Sequence, residues 1–174
     1  MVFFGYAHTM KSERLSEAIP VKVPGSVYQA LLDSGKMEDP FWRDNEMEAL
    51  EWMKQDFEYS TVFDVENDML EADKLILRFD GIDTLASVWL NGEEIGTAEN
   101  MHRIYEFDVT DRLCSSKNEL VVKIASSVNF IEEAYKNIEV AGTPDAMDGF
   151  PHIRKAHCMF GWDWGPRVPD AGLF

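Results

Sequence analysis

The sequence of 174 residues has little basic charge and no long hydrophobic run. Sixteen Lys and Arg residues stand against 32 Asp and Glu residues, which gives a formal net charge of −16. Nucleic acids and anionic membrane surfaces bind basic patches, so this balance argues against both as partners. No apolar run approaches the roughly 20 residues that a membrane-spanning helix needs. The charge balance leaves a neutral or cationic partner open.

Cysteine is also scarce, and no secretion signal is recognisable. Cys114 and Cys158 lie far apart and form no CxxC pair. This spacing favours two unpaired thiols in a reducing compartment over a disulfide. The apolar stretch near the first residue is short and follows no basic region, and no Asn-x-Ser/Thr glycosylation sequon occurs. The sequence therefore predicts a cytoplasmic protein.

Apolar and polar residues alternate along most of the chain, which predicts β-strands with one buried face. The alternation is clearest at residues 59–65, 74–79, 87–90, 105–109 and 120–124. Asn91-Gly92 between two such segments predicts a tight hairpin turn. Because no long helix separates the strands, we expect an all-β sandwich or jelly roll in one domain.

Helical patterns are few and short. Ser26 at a capping position and Gly35 at a stop position predict one helix between them. Apolar spacing of three and four residues predicts two more helices at residues 45–53 and 128–138.

The most unusual segment is the run Phe160-Gly161-Trp162-Asp163-Trp164-Gly165-Pro166. Its glycines and proline predict a loop. Tryptophan rings suit the C–H faces of a sugar, and a carboxylate can accept hydrogen bonds from vicinal hydroxyls. Two interpretations stay open: a binding loop, or a structural loop whose two indoles fill the end of the sandwich while Asp163 caps a turn.

Other polar clusters give weaker indications. His152, His157 and Cys158 have no fourth metal ligand at a recognisable distance, so we expect a polar strand there rather than a metal site. The acidic run at residues 64–68 lacks the glycine and the bidentate glutamate of a calcium loop and predicts a solvated turn. No motif for a nucleotide cofactor or a nucleophilic triad is present, and no pair of carboxylates is marked as catalytic. We expect no metal, no cofactor and no catalytic residue in this chain.

Five segments resemble the β-mannosidases of glycoside hydrolase family 2. They are VPGSVYQALLDSGKMEDPFWRDNE (23–46), LRFDGIDTLASVWLNGEEIG (77–96), NMHRIYEFDVTDRL (100–113), NELVVKI (118–124) and IRKAHCMFGWDWGPRVPDAGLF (153–174). The second segment is similar to family 2 enzymes in general, whereas the first and last point to the mannosidase branch.

The resemblance implies a galactose-binding-like β-sandwich jelly roll that forms the N-terminal domain of a longer enzyme. That enzyme would be an exo-acting, retaining β-mannosidase, with its catalytic glutamates in a (β/α)8 barrel that these residues do not include. The resemblance assigns Trp162 and Asp163 to the pocket for the terminal mannose. We expect Trp164 to be a buttress, since a locally extended Trp-Asp-Trp run cannot present all three side chains to one ligand. Arg154 and Lys155 also match the family pattern and are given positioning roles.

The resemblance also implies that residues 1–174 are one domain cut at both ends, from partway into the first strand to just short of the closing strand. Unpaired edges then predict marginal stability or self-association. Three other functions stay open. They are a stand-alone carbohydrate-binding module, the same domain of a β-galactosidase or exo-glucosaminidase, and a structural sandwich with both indoles of the Trp162–Trp164 run buried.

Overall fold

A computed structural model describes residues 7–174 of the chain. The predicted start within a first strand falls on residues 1–6, which lie outside this range. The described range contains the strands β1 (His8–Lys11), β2 (Ile19–Val21), β3 (Gly25–Ser26), β4 (Phe57–Phe63), β5 (Ile76–Phe79), β6 (Ile82–Asp83), β7 (Ala86–Leu90), β8 (Glu93–Ala98), β9 (Tyr105–Asp108), β10 (Asn118–Ile124) and β11 (Gly172–Leu173). It also contains the helices α1 (Val27–Asp33), α2 (Glu46–Met53), α3 (Asn67–Leu70) and α4 (Ser127–Asn137), and 3-10 helices at Phe150–His152 and His157–Phe160.

The strands form two layers. One layer is an antiparallel sheet of six strands in the order β2-β1-β4-β10-β7-β8. The other contains the three-stranded sheet β3-β11-β6 and the pair β5-β9, all antiparallel. One large hydrophobic cluster takes side chains from both layers. The predicted β-sandwich with a few short helices is confirmed.

The alternation in the sequence corresponds to burial in the central strands. In β10, Val122 lies opposite Tyr59 of β4 on one side and Val88 of β7 on the other. Every second side chain of β4 and β10 is buried, namely Phe57, Tyr59, Thr61, Phe63, Asn118, Leu120, Val122 and Ile124. Burial of the apolar members contributes about 1.5–3 kcal/mol each, which fixes the register of the central strands.

The predicted hairpin connects β7 and β8. Asn91 and Gly92 have φ angles of 53° and 85°, the left-handed values that a type I′ turn needs. The Asn91 side chain donates to the carbonyl of Arg112 at 2.7 Å and to Oδ1 of Asn118 at 3.0 Å. The turn is thus stabilised by its own backbone conformation and by hydrogen bonds from the Asn91 side chain to residues outside the hairpin.

The three predicted helices are present. Ser26 caps α1, where its Oγ accepts the Gln29 backbone N–H at 3.3 Å, and Gly35 follows the helix with φ of 63°. The Gln29 side chain completes no capping box, because its amide donates to Asp33 instead. Helices α2 and α4 lie within one residue of the predicted ranges.

Two local predictions were wrong. The segment around His152 and His157 is not a polar strand but contains the two 3-10 helices, the first with Pro151 in its opening turn. Both imidazoles satisfy nearby carbonyls: His152 Nε2–H donates to Ile138 at 2.9 Å, and His157 Nε2–H donates to Ile153 at 3.2 Å. Part of the predicted acidic turn is the one-turn helix α3. No helix in the described range is both long and apolar enough to cross a lipid bilayer.

Candidate functional site

The Trp-Asp-Trp run forms a tight turn on the protein surface. The Trp162 carbonyl accepts the Gly165 N–H at 3.1 Å, and the Trp162 N–H donates to the Gly165 carbonyl at 3.4 Å. Asp163 and Trp164 therefore occupy the two central positions of a β-turn. The side chains of Trp162 and Trp164 are 52% and 83% exposed, and Asp163 is exposed. Within residues 7–174, the Asp163 carboxylate has no hydrogen-bond or ion-pair partner.

This geometry contradicts one of the two interpretations of the loop. The indoles do not fill the end of the sandwich, and Asp163 does not cap the turn, so the structural interpretation was wrong. Trp164 is the more exposed of the two indoles, and its buttressing role stays a prediction. That prediction assumed an extended run, whereas the run reverses direction at Asp163 and Trp164.

The turn forms the tip of a longer loop, residues 156–169, which we call the Trp arm. Its two sides meet where the Val168 N–H donates to the Met159 carbonyl at 2.9 Å. Phe160 is fully buried in a small cluster with Ile131 and Ile153, and its carbonyl accepts the Met147 N–H at 2.9 Å. An apolar anchor and several backbone hydrogen bonds thus support the exposed turn.

Glycine is required at position 161, where the backbone of the Trp arm packs against the backbone of residue 145. Its φ angle is 116°, in the region that favours glycine. A Cβ atom at this position would lie 2.6 Å from the Asp145 carbonyl oxygen. The backbone of the arm can therefore approach residue 145 only with glycine at position 161.

Arg167 links the arm to a second part of the molecule. Its backbone N–H donates to Oε2 of Glu46 at 3.1 Å, and its guanidinium donates twice to the Asp145 carbonyl at 3.3 Å. Glu46 opens α2, and the turn before α2 exposes Phe41 and Trp42. A second exposed aromatic pair therefore belongs to the segment that contacts the Trp arm, and sequence reasoning assigned this pair no role.

Lys155 is buried at the base of the arm. Its side chain is 0% exposed, and its ammonium donates to Oδ2 of Asp83 at 2.5 Å and to the Asp170 carbonyl. The Thr84 hydroxyl donates to the other oxygen of Asp83. Burial lowers the pKa of Lys155, and the nearby Asp83 carboxylate opposes that shift. Lys155 thus forms a buried ion pair, and its positioning role stays a prediction.

Asp170 ends the arm and joins it to α1. Its Oδ1 accepts the N–H groups of Tyr28 at 2.9 Å and Ala171 at 2.8 Å. Burial raises the pKa of the Asp170 carboxyl, although these hydrogen bonds and one from Ser26 favour the charged form. Asp83 and Asp170 were missed from sequence. A lysine close to the apolar residues Ile153 and Ala156 indicates that a buried carboxylate balances its charge, but the sequence does not indicate which carboxylate.

Arg154 differs from its neighbour Lys155. Its side chain is exposed, and its backbone forms an isolated parallel bridge with Asn100, in which its carbonyl accepts the Met101 N–H at 3.0 Å. Within the described residues, the Arg154 side chain forms no ion pair. Any positioning by Arg154 inside the domain therefore comes from its backbone.

A separate apolar groove of about 340 Å³ opens between the two layers. Its walls include Tyr59, Thr61, Leu77, Phe79, Val122 and Leu173. Two polar atoms at this groove, Tyr59 Oη and His8 Nε2, are buried without a hydrogen-bond partner in the described residues. Strand β5 at the groove pairs only with β9 within residues 7–174, which leaves its other edge unpaired.

No cluster of three or more His, Cys, Asp or Glu side chains within residues 7–174 is arranged to hold a metal ion. Cys114 and Cys158 are both free and exposed. The side chains that the Trp162–Gly165 turn exposes are two indoles and one carboxylate.

A two-layer antiparallel sandwich with an exposed aromatic and acidic turn defines a jelly-roll domain of the galactose-binding-like class. The chain belongs to the family described as the glycosyl hydrolase 2 galactose-binding domain-like domain, whose model matches residues 8–174.

Known β-mannosidases are similar to the chain in sequence and structure. The beta-mannosidase of Capra hircus is 36% identical over 165 residues, which cover 90% of this chain and 18% of that protein. A probable beta-mannosidase of Caenorhabditis elegans is 32% identical over 163 residues, with 87% and 18% covered. The crystal structure of a β-D-mannosidase from Dictyoglomus thermophilum superimposes with a TM-score of 0.90 at 36% identity, with 95% of this chain and 20% of that chain covered.

The predicted resemblance to the N-terminal domain of family 2 β-mannosidases is thereby confirmed. The chain spans only about a fifth of the length of these relatives.

Proposed function

We propose that this domain belongs to an exo-acting, retaining β-mannosidase and contributes the Trp turn to the subsite for the terminal β-D-mannosyl residue. Trp162 would stack on the C–H face of the sugar, and Asp163 would accept hydrogen bonds from its hydroxyls. The observation that carries this proposal is the exposed Asp163 carboxylate, which has no partner in the described chain and lies between two exposed indoles. A neutral sugar is also compatible with the net charge of −16.

The catalytic groups would lie elsewhere in the parent polypeptide. Retaining hydrolysis needs two carboxyl groups about 5–5.5 Å apart, one as acid/base and one as nucleophile. The proposal assigns these to two glutamates of a (β/α)8 barrel outside this chain. The 174-residue chain alone should therefore hydrolyse no glycoside.

Other assignments share the same turn. A stand-alone carbohydrate-binding module would use Trp162 and Asp163 without a barrel, and a β-galactosidase or exo-glucosaminidase would use the same sandwich for a different sugar. The similarity to β-mannosidases of 32–36% identity favours the mannosidase proposal. We further propose a cytoplasmic location, which is supported by two free cysteines and the lack of a sequon.

Self-association of the isolated chain is a related proposal. One edge of β5 has no partner strand among residues 7–174, and an extended strand could pair there with alternate side chains in the apolar groove beside it. We propose a strand from a second copy of the chain as the occupant.

Isothermal titration calorimetry of the 174-residue chain with mannose and mannobiose separates the leading assignments. If the domain is one part of an enzyme site, no binding heat is expected, because the barrel supplies most contacts. Binding that Asp163→Ala abolishes would instead identify a stand-alone module. Turnover of an aryl β-mannoside by this chain would contradict the proposed location of the catalytic glutamates.

A further inference from the structure

The buried ion pair of Lys155 and Asp83 lies at the base of the Trp arm, where the arm begins and ends. Lys155 immediately precedes the arm and Asp170 immediately follows it, and the Lys155 ammonium donates to the Asp170 carbonyl. The same ammonium contacts Oδ2 of Asp83 at 2.5 Å. One side chain therefore joins the two ends of residues 156–169 to each other.

Asp83 connects this closure to the sandwich. It ends β6, and Asp83 pairs with Gly172 of β11, two residues after Asp170. Its carboxylate is 3% exposed and is also held by the Thr84 hydroxyl. The base of the arm is thus fixed to the three-stranded sheet through side-chain and backbone contacts together.

Stability alone does not explain a charged pair at this position. Removal of two charges from water costs more than their attraction returns in many proteins, and apolar side chains of similar shape are often as stable or more so. Burial lowers the pKa of Lys155, which is consistent with a cost for the charged form here. What apolar side chains cannot replace is the directed hydrogen bond from Lys155 to the Asp170 carbonyl.

We propose that Lys155 and Asp83 are positioning residues, which hold the base of the Trp arm closed and so fix the place of Trp162 and Asp163. The pair, called here the Lys155–Asp83 clamp, acts on the arm whether or not a sugar binds. Its consequence for a mannosyl subsite rests on the proposed function, but the closure of the arm does not.

The test uses the whole 174-residue chain and needs no sugar. Lys155→Met and Asp83→Leu keep nearly the same shapes, so the double variant should retain most of the wild-type unfolding temperature, whereas Lys155→Met alone should lose much of it. Hydrogen exchange measured by NMR then follows the amides of Gly165 and Val168, which donate to Trp162 and Met159 across the arm. The Val122 amide of the central strand β10 reports global opening.

In the double variant, the Gly165 and Val168 amides should exchange at least about tenfold faster than in the wild type, with Val122 unchanged. Lys11→Met is the matched control, because it removes an exposed ion pair with Glu58 and should leave the arm amides unchanged. Wild-type exchange at Gly165 and Val168 in a folded double variant would overturn the proposal.

If the double variant fails to fold, the Thr84→Val variant, in which the side chain keeps nearly the same shape, provides a second test of the proposal. It removes only the hydroxyl that holds Asp83, so severalfold faster exchange at Gly165 and Val168 is expected. Unchanged exchange in Thr84→Val would overturn the clamp. Because no sugar is present, either result leaves the assignment of Trp162 and Asp163 to a sugar subsite to be tested separately.

Discussion

The backbone N–H of Arg167 donates to the Glu46 carboxylate at 3.1 Å, so the Trp arm and helix α2 are joined across 121 residues of sequence. The turn before α2 exposes Phe41 and Trp42, and the arm exposes Trp162 and Trp164. Two exposed aromatic segments are therefore connected through one hydrogen bond. Under the proposed function, we expect the surface available to a sugar or to the rest of the enzyme to include both.

Gly161→Ala should destabilise the domain, because the residue has a positive φ angle and no room for a Cβ atom beside the Asp145 carbonyl. We expect a loss of about 1–3 kcal/mol in the free energy of unfolding, measured by urea denaturation. Gly165→Ala is the matched control, since a Cβ there would meet Trp162 at an ordinary 3.6 Å. Equal losses for the two variants would contradict the described support of the arm.

Trp162→Ala and Trp164→Ala should each change the free energy of unfolding by no more than about 0.5 kcal/mol, because both indoles are exposed. Trp52→Ala, at a side chain only 4% exposed, should lose about 3–5 kcal/mol. Chemical denaturation of the three variants provides the comparison. A large loss at Trp162 or Trp164 would mean that the indoles are part of the core.

Asp170 should make stability depend on pH. Burial raises its pKa above the ordinary value of 3.8, so the folded domain retains a proton that the unfolded chain has already released. From 3.8 up to the folded-state pKa, this residue's contribution to the free energy of unfolding therefore decreases as the pH rises.

Asp170→Asn removes that titration and retains an oxygen acceptor for the Tyr28 and Ala171 amides. Relative to the wild type, the variant should become more stable as urea denaturation is repeated from about pH 3 to about pH 7. The other carboxylates are common to both proteins and cancel in the difference. A difference that stays constant across this range would exclude a raised pKa at Asp170.

Arg78→Pro should reduce self-association of the isolated chain. In an antiparallel pair, successive residues direct their backbone groups alternately toward the partner strand and away from it. The Leu75 carbonyl accepts the Val109 N–H on the β9 side, so the Arg78 N–H, three residues on, points to the opposite edge of β5, which is unpaired within residues 7–174. Proline removes this donor, whereas Arg78→Ala removes the same side chain and keeps the donor. Sedimentation velocity should show a smaller associated fraction for Arg78→Pro only; equal association of both variants would exclude this edge.

The sandwich was predictable because its signals are local. Alternation placed Tyr59 and Val122 in the core, and the conformational needs of Asn91-Gly92 fixed a hairpin. The turn at Trp162–Gly165 was predicted only as a loop, since its reversal and the exposure of Trp164 depend on hydrogen bonds that no residue pattern specifies. Similarly, the partner of Lys155 lies 72 positions away, and no residue pattern in the sequence marks Asp83 as that partner.

Under the proposed function, Asp163 contacts the terminal sugar in the assembled enzyme. Hydrolysis of an aryl β-D-mannoside by the full-length protein that carries this domain tests it most directly. Asp163→Ala should lower kcat/KM by at least about 100-fold, equivalent to about 2.7 kcal/mol. The unfolding temperature should not change, because the side chain is exposed and has no partner among residues 7–174. The exposed Asp111 serves as the control, and Asp111→Ala should leave kcat/KM unchanged. A wild-type kcat/KM in the Asp163→Ala enzyme would contradict the account.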